Sequence, residues 1–392
     1  MTPYLSDRIK NVAPSATMQM TQAARDLRAT GRDVISLSVG EPDFDTPDHI
    51  KDAAMRALAD GHTRYTATDG IPELKDAIIR KFRRDNKLNA SREQINVSPG
   101  GKAVIWNALS VTVNPNDEVI IPTPCWVSYP DMVRLLGGRP VLIPGGSDFK
   151  MSSDQLADAI TPRTRWLMLN SPSNPTGAVY SQDALTALAD VLRAHPHVMV
   201  LSDDIYEALT YEGAEFATLA SVAPDLAHRC LTMNGVSKAY AMTGFRIGYG
   251  AGPAWMIDAM RKFMGQTTSN PTSISQWAAI SALDGPQDVL TDWRNRFATR
   301  RDLLCARLND MGLRADLPPG AFYIFADCTE LMKRKGFDND QALALDLLNQ
   351  TGVATVPGTA FQSPGHLRIS YAAADDALDD AAQRLRDYMS RS

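Results

Sequence analysis

The sequence has few of the features that mark membrane, secreted or metal-binding proteins. No apolar run reaches the ~18 residues of a membrane-spanning helix, and the first stretch, MTPYLSDRIKNVAPSAT, lacks the apolar centre of a secretory signal. The 4 cysteines show no CxxC pairing, and the 6 histidines have no metal-ligand spacing. We therefore expect a cytoplasmic protein with reduced cysteines, no membrane partner and no metal site.

The chain also lacks an excess of positive charge. It carries 40 Lys and Arg against 45 Asp and Glu, a formal net charge of -5, whereas nucleic-acid-binding surfaces are basic. Nucleic acid is therefore not an expected partner. With 44% hydrophobic and 22% charged residues the composition is that of a globular protein. The length of 392 residues exceeds one ordinary core and predicts about two to three domains.

Short runs rich in Val, Ile and Leu alternate with helical stretches through much of the chain. These runs are INVS, EVII, PVLI, WLMLN, VMVLSD and CLTMN. The alternation predicts βαβ units and an α/β fold, in which helices cover both faces of a mostly parallel sheet. Ligands bind such sheets at the carboxyl ends of the strands. Thr46 and Pro47 are predicted to begin one of the helices, with the Thr46 hydroxyl as its cap.

The regular alternation of strands and helices ends at a long helical stretch from about Pro286 to Met311. FYIFAD, VATVP and LRISYA then look like strands between helices. We assign residues 46–285 to a large domain, and residues 1–45 with 286–392 to a smaller α+β domain that recruits the N-terminal segment.

The stretch NGVSKAYAMTGFRIGYG places Lys238 among small and hydroxylated residues, followed by Arg246. A lysine shielded from water binds its proton less tightly and becomes a nucleophile toward aldehydes. Arginine offers a planar donor fork that suits phosphate or carboxylate. An aldehyde and a phosphate together outline pyridoxal phosphate (PLP), which needs a Schiff-base lysine. A surface loop with an ordinary lysine and an ion-paired arginine is the alternative.

This stretch resembles the PLP-lysine signature of class I/II aminotransferases, the aspartate aminotransferase family. The residues on pattern are Gly235, Val236, Ser237, Lys238, Gly244, Arg246, Ile247 and Gly248. The resemblance implies the PLP-dependent transferase type I fold and a Schiff base at Lys238. It further implies an L-amino acid and a 2-oxo acid as substrates, and a homodimer with shared active sites.

Further motifs follow the predicted strands, and the resemblance gives each a place around the cofactor ring. In LSDDIYEAL it implies Asp203 at the pyridine nitrogen, where a carboxylate keeps that nitrogen protonated, and Tyr206 at the phenolic oxygen. In SPSNPTG it implies Asn174 at the same oxygen. In PTPCWVSY it implies Trp126 stacked on the ring. The alternatives are a strand-end cap, an Asn-Pro turn and a core aromatic residue.

A second group of motifs is expected around the cofactor phosphate. GGK, Gly100 to Lys102, opens a helix after a strand, and free amides at a helix N-terminus favour anions. The resemblance implies that Gly100, Gly101 and Lys102 lie near the phosphate together with Arg246, and Ser237 is a further candidate contact. Tyr65, in RYTATDGIPEL, matches a tyrosine that reaches the partner subunit's cofactor phosphate.

The substrate side is marked by Arg368 in GHLRISYA, a charged residue within an apolar strand. Arginine is rarely buried without a partner, and the resemblance implies that it clamps the substrate α-carboxylate bidentately. It also places the Gly40 backbone near this carboxylate, and Trp126 and Asn174 beside the substrate. Ser15 and Thr17 are candidates to close over it.

The chain departs from the family at the residues that bind and select the substrate side chain. Gly265 stands where one branch has an arginine from the partner subunit, so Lys102 is the candidate for a distal carboxylate. Relatives active on aspartate and prephenate carry lysine where this chain has Ala13, which weakens the prephenate interpretation. Gly235 also replaces a serine found in one branch, so Ser237 or Asn234 is the candidate for a phosphate contact.

The predicted function is therefore PLP-dependent transfer of the amino group from aspartate or glutamate to 2-oxoglutarate or oxaloacetate, by a ping-pong mechanism. An aromatic, prephenate or broad-specificity aminotransferase is the nearest alternative. A C–S β-lyase on the same framework is another, and a non-catalytic protein that kept the pocket is a third.

Overall fold

The computed structural model describes residues 4–10, 12, 14 and 16–390. Its strands are β1 (Ile35–Ser36), β2 (Ile95–Ser98), β3 (Glu118–Thr123), β4 (Arg139–Pro144), β5 (Thr164–Asn170), β6 (Met199–Asp203), β7 (Cys230–Gly235), β8 (Gly248–Ala251), β9 (Tyr323–Asp327), β10 (Val353–Ala354), β11 (Val356–Pro357) and β12 (His366–Ser370). Its helices are α1 (Asp7–Lys10), α2 (Ala16–Ala29), α3 (Asp48–Ala59), α4 (Pro72–Asn86), α5 (Gly101–Thr112), α6 (Ser128–Leu135), α7 (Ser153–Ala159), α8 (Gln182–Arg193), α9 (Leu219–Val222), α10 (Val236–Ala239), α11 (Ala254–Gly265), α12 (Ser273–Asp284), α13 (Asp288–Asp310), α14 (Thr329–Lys335), α15 (Asp340–Thr351) and α16 (Asp375–Ser390).

The main sheet has the strand order β2-β8-β7-β6-β5-β3-β4 within the described residues. Its strand pairs are parallel except at β8, which runs antiparallel to both β2 and β7. The mostly parallel sheet expected from the sequence is thus confirmed. β8 was not foreseen, because its residues GYGA lack the β-branched side chains that identify a strand. A Cβ at Gly248 would overlap the backbone of Gly100 and Gly101, so this close approach requires glycine.

Helices bury both faces of this sheet. Along β5 the side chains alternate, since Trp166 and Met168 join one hydrophobic cluster while Leu167 and Leu169 join another. Helices α5, α6 and α11 cover the first face, and α3, α4, α8 and α12 cover the second. A strand buried on both sides has no polar alternation, which explains the continuous apolar run WLML.

A third cluster joins the two ends of the described chain. Met20 and Leu37 pack in it with Phe297, Ile324 and Leu385. Strand β1 pairs in parallel with β10, and β11, β12 and β9 form a separate antiparallel sheet. The N-terminal segment therefore contacts the C-terminal part, while the domain boundaries at 46 and 286 stay a prediction.

Two local expectations were wrong. The Thr46 hydroxyl donates a hydrogen bond to the Ala241 carbonyl oxygen at 2.7 Å instead of capping α3, whose N-cap residue is Pro47. The run VATVP is two strands, β10 and β11, in different sheets. Within the part of the chain that the structure describes, no helix is long and apolar enough to cross a membrane, and no cluster of three metal-ligating side chains occurs.

Candidate active site

A cavity of about 440 Å³ opens beside the carboxyl ends of β5, β6 and β7. Its lining includes most of the residues predicted to act at the site, namely Thr17, Gly40, Gly101, Lys102, Trp126, Asn174, Asp203, Tyr206, Ser237, Lys238, Arg246 and Arg368. They come from segments far apart in sequence. The parallel strands bring Asn174, Asp203 and Lys238 together, because such strands end at one edge of the sheet. Thr17, Gly40 and Arg368 come to the same cavity from α2, the segment after β1, and β12 of the separate antiparallel sheet.

Lys238 lies on α10, directly after β7, and its ammonium donates a hydrogen bond to the Gly40 carbonyl oxygen at 2.6 Å. Burial lowers the pKa of Lys238 to about 8, against a smaller opposing effect of the Glu41 carboxylate. With this pKa about a tenth of the amine is unprotonated at pH 7 and about half at pH 8, and the unprotonated amine is the form that a nucleophile or general base needs.

Asp203 ends β6 and is 4% exposed. Its carboxylate accepts hydrogen bonds from the Tyr129 hydroxyl at 2.5 Å and from the Ile205 backbone amide at 3.2 Å. Burial raises the pKa of Asp203 to about 6, and these two bonds oppose that rise. Above this pH the site presents a buried negative charge. The neighbouring Asp204 is also buried but does not line the cavity.

Arg368 projects from β12 and is 2% exposed. Its guanidinium donates to the Asn174 side-chain oxygen at 3.0 Å and to the Ser38 carbonyl oxygen at 2.6 Å, both neutral acceptors. Its Nε has no hydrogen-bond partner among the described residues. A buried cation without a carboxylate is costly, so this end of the cavity is arranged to receive an anion.

The opposite end forms a second anion cradle. Gly100, with φ +91°, leads into the N-terminus of α5, and a Cβ there would overlap the Arg246 guanidinium. Arg246 itself has φ 56° and donates to the Thr243 carbonyl oxygen at 2.7 Å. Free amides at a helix start together with an arginine suit a phosphate.

Aromatic and cationic groups form one wall. Trp126 packs edge-on against Tyr129 with ring centroids 5.3 Å apart. The Lys102 ammonium lies 4.7 Å from the centroid of the Trp126 ring, and burial lowers the pKa of Lys102, with a further contribution from Arg246. Among the described residues no carboxylate pairs with Lys102, so it is available to a ligand.

Four predicted residues are not in this lining, and one of them is Asn234, which is buried within β7. Gly100 lies behind Arg246, and Ser15 falls outside the described residues, as does Ala13. Tyr65 is 91% exposed and does not line the cavity of its own chain.

Sequence reasoning missed Tyr129 and Tyr323, which both line the cavity. The Tyr323 hydroxyl lies 2.8 Å from the Tyr206 hydroxyl. Tyr129 lies in the first turn of α6, three residues after Trp126 in the same motif, and this proximity could have identified it. Tyr323 lies within FYIFAD, where a core side chain and a site side chain look alike.

Comparison with known proteins agrees with this geometry. Residues 32–385 match the family model for aminotransferase class I and II. The chain belongs to this family. It is 51% identical to the aspartate/prephenate aminotransferase of Cereibacter sphaeroides, over 98% of each chain.

Solved structures give the same result. The fold is similar to the aspartate aminotransferase of Rhizobium meliloti, with a TM-score of 0.94 and 46% identity over 99% of each chain. The Thermus thermophilus aspartate aminotransferase with maleate gives a TM-score of 0.91 at 43% identity, over 98% of this chain and 99% of that one. The protein is therefore an aminotransferase, and its fold is that of these relatives.

Proposed function

We propose that this aminotransferase uses PLP to move the amino group of L-aspartate or L-glutamate to 2-oxoglutarate or oxaloacetate. The observation that carries the proposal is the presence of two separate anion sites and a shielded lysine in one cavity. One site is the cradle of Gly100, Gly101 and Arg246, and the other is the Arg368 guanidinium, whose Nε has no hydrogen-bond partner among the described residues.

The residues present fit PLP. Arg246, the α5 amides and Ser237 would hold its phosphate, and Trp126 would stack on its ring. Asp203 would pair with the ring nitrogen, and this contact would compensate the carboxylate for its burial. Asn174 and Tyr206 would bind the phenolic oxygen. When bound, PLP supplies an aldehyde and a protonated ring that withdraws electrons from the substrate's α-carbon.

The chain's own groups would then bind the substrate and move its proton. Arg368 would bind the α-carboxylate by two parallel hydrogen bonds. Lys238 would take the proton from the α-carbon as base and return it as acid, and its pKa of about 8 suits both steps. Because donor and acceptor would occupy the same site in turn, initial-rate plots should be parallel.

Selection of an acidic side chain would fall to Lys102. It is a cation without a carboxylate partner among the described residues, and it lies at the same cavity as Arg368. Thr17 and Met18 of α2 line the cavity as well, so α2, with Ser15 just before it, would cover the bound substrate.

Prephenate is the second candidate acceptor. It is favoured by the 51% identical relative from Cereibacter sphaeroides, which is named as an aspartate/prephenate aminotransferase. The sequence argument against prephenate depended on Ala13, which lies outside the described residues. Assays should therefore include prephenate beside 2-oxoglutarate.

The deciding experiment is the visible absorption spectrum of the purified protein before and after L-aspartate alone. We expect a cofactor band that shifts from the aldehyde form to the amine form. A band that aspartate leaves unchanged would reject the acidic donor, and no band after reconstitution with PLP would reject the cofactor. Release of pyruvate and ammonia from cystathionine would instead identify a C–S lyase.

We further propose a cytoplasmic homodimer in which Tyr65 completes the partner's phosphate site. In support, Tyr65 is 91% exposed in the single chain although it belongs to a family motif. Light scattering should give twice the chain mass, and Tyr65→Phe should weaken PLP binding several-fold without changing that mass. A monomer that binds PLP fully would contradict the shared site.

A further inference from the structure

Tyr323 lies where the lysine side and the carboxylate side of the cavity meet. It projects from β9, is fully buried and lines the cavity. We propose that Tyr323 is a positioning residue that couples these two sides, because its ring orients Arg368 and its hydroxyl orients Tyr206. The proposal rests on the function given above and adds a residue that neither the motifs nor the comparisons assign.

The Tyr323 ring lies against the plane of the Arg368 guanidinium. The guanidinium carbon lies 4.5 Å from the centroid of the Tyr323 ring and 5.0 Å from that of Phe361. The hydrogen bonds to Asn174 and Ser38 fix the guanidinium edge, whereas aromatic rings act on its face. Bidentate carboxylate binding depends on the orientation of that plane, so loss of the ring should weaken it.

The Tyr323 hydroxyl shares one hydrogen bond with Tyr206, and the direction of that bond can change. The hydroxyls of Tyr206 and Tyr323 lie 2.8 Å apart, and each can donate to the other. Once Tyr206 donates its proton to an oxygen in the cavity, Tyr323 has to donate the shared bond. That donation polarises the Tyr206 hydroxyl and makes it a stronger donor.

Gly40 leaves room for the Tyr323 hydroxyl. A Cβ at residue 40 would overlap the Tyr323 hydroxyl oxygen, so only glycine leaves room for it. The carbonyl oxygen of the same glycine accepts the hydrogen bond of Lys238. The Tyr323 hydroxyl thus lies between Tyr206 and Gly40, whose carbonyl oxygen holds Lys238. The ring of Tyr323 contacts Arg368.

Two variants of the holoenzyme separate the roles. Tyr323→Phe removes the hydroxyl and keeps the ring, while Tyr323→Leu removes both. The matched control is Tyr371→Phe, which removes a fully buried hydroxyl from the same core, where it bonds Tyr211 and the Ala321 carbonyl oxygen. The readouts are the pH midpoint of the cofactor's absorption change and the spectroscopic dissociation constant of maleate, a non-reactive dicarboxylate.

In Tyr323→Phe the pH midpoint should rise by about half a unit, because a weaker Tyr206 donor disfavours the deprotonated form of the bound cofactor. Its maleate affinity should stay within about twofold of the wild type. In Tyr323→Leu maleate should bind about tenfold more weakly. Tyr371→Phe should change neither readout.

The outcomes that overturn the proposal are distinct from those that overturn the function. A wild-type protein without a cofactor band rejects the function itself. With the band present, an unshifted Tyr323→Phe, or an equal shift in Tyr371→Phe, rejects the hydroxyl role. Unchanged maleate binding in Tyr323→Leu rejects the ring role. If that variant does not fold, Tyr323→Met, whose flexible side chain fills cores, takes its place under the same criterion.

Discussion

The buried groups of the cavity lining, called its inner end below, and the exposed groups, called its outer end, are built differently. At the inner end, Asp203 and Arg368 are each at most 4% exposed and hydrogen-bonded to neighbouring groups. At the outer end, Met18 is 68% exposed, and Lys102 rests on an aromatic face without a carboxylate partner among the described residues. Under the proposed roles, the reaction chemistry would depend on buried, hydrogen-bonded groups, while side-chain selection would depend on more exposed ones.

The largest effect should come from Lys238→Ala at the inner end. Loss of the group that moves the proton should reduce kcat by at least about a thousandfold, measured by coupled assay with aspartate and 2-oxoglutarate. The control is Lys262→Ala, an exposed lysine on α11, which should behave as wild type. Retention of a tenth of the activity in Lys238→Ala would contradict the assigned role.

Arg368→Lys should have the next largest effect. Lysine keeps the charge but loses the bidentate fork, so kcat/KM should fall about a hundredfold, mostly through KM. Arg307→Lys provides the matched change on α13, where the arginine pairs with Asp379 at the surface. Equal losses for these two variants would mean that Arg368 acts through general stability instead of substrate binding.

Asp203→Asn should separate stability from activity. The folded-state pKa of about 6 lies above the ordinary 3.8, so the folded protein binds more protons between these values. Its stability therefore falls as pH rises from 3.8 to 6, and the penalty persists above pH 6. In the cofactor-free protein at pH 7.5, Asp203→Asn should raise the free energy of unfolding by roughly 2–3 kcal/mol, while turnover falls.

Urea unfolding of both proteins at pH 4 and 7.5 tests this expectation. The gain should nearly vanish at pH 4, where the wild-type carboxyl is already protonated in the folded state. Asp258→Asn, on the exposed face of α11, should show no comparable gain at pH 7.5. A destabilised Asp203→Asn protein would show that the hydrogen bonds from Tyr129 and Ile205 outweigh the burial of the charge.

The smallest effect should be at the outer end. Lys102→Met keeps an unbranched side chain, one atom shorter than lysine, and removes its charge, so kcat/KM for aspartate should fall about tenfold. The value for leucine should be unchanged, since leucine has no distal carboxylate. An equal fall in kcat/KM for both amino acids would assign Lys102 to the cofactor phosphate. An unchanged kcat/KM for aspartate would mean that Lys102 does not bind the distal carboxylate.

The sequence predicted that Asp203 and Asn174 lie near each other because both belong to motifs at strand ends, and both line the cavity. Asp203 and Asn174 follow apolar runs whose parallel pairing brings them to one edge, so local patterns determined a long-range arrangement. The structure confirms the fold, and the comparisons with known proteins confirm the family. The individual roles stay proposals that the experiments above test.

What the sequence did not predict depends on contacts between distant segments. Tyr323 acquires its place from a hydrogen bond to Tyr206 and from the absence of a side chain at Gly40, and neither relation has a local pattern. Thr46 satisfied the rule for a helix cap, but a carbonyl oxygen at Ala241 offered its hydroxyl another acceptor.

The pairing of β1 with β10 has a consequence for synthesis of the chain. All strands of the main sheet have been made once Ala251 is complete, whereas β1 needs Val353 and Ala354 as its partners. At about 5–20 residues per second, roughly 5 to 20 seconds separate these two events on the ribosome. During that interval the N-terminal segment has no strand to pair with, and it has to stay unpaired until the distant partner emerges.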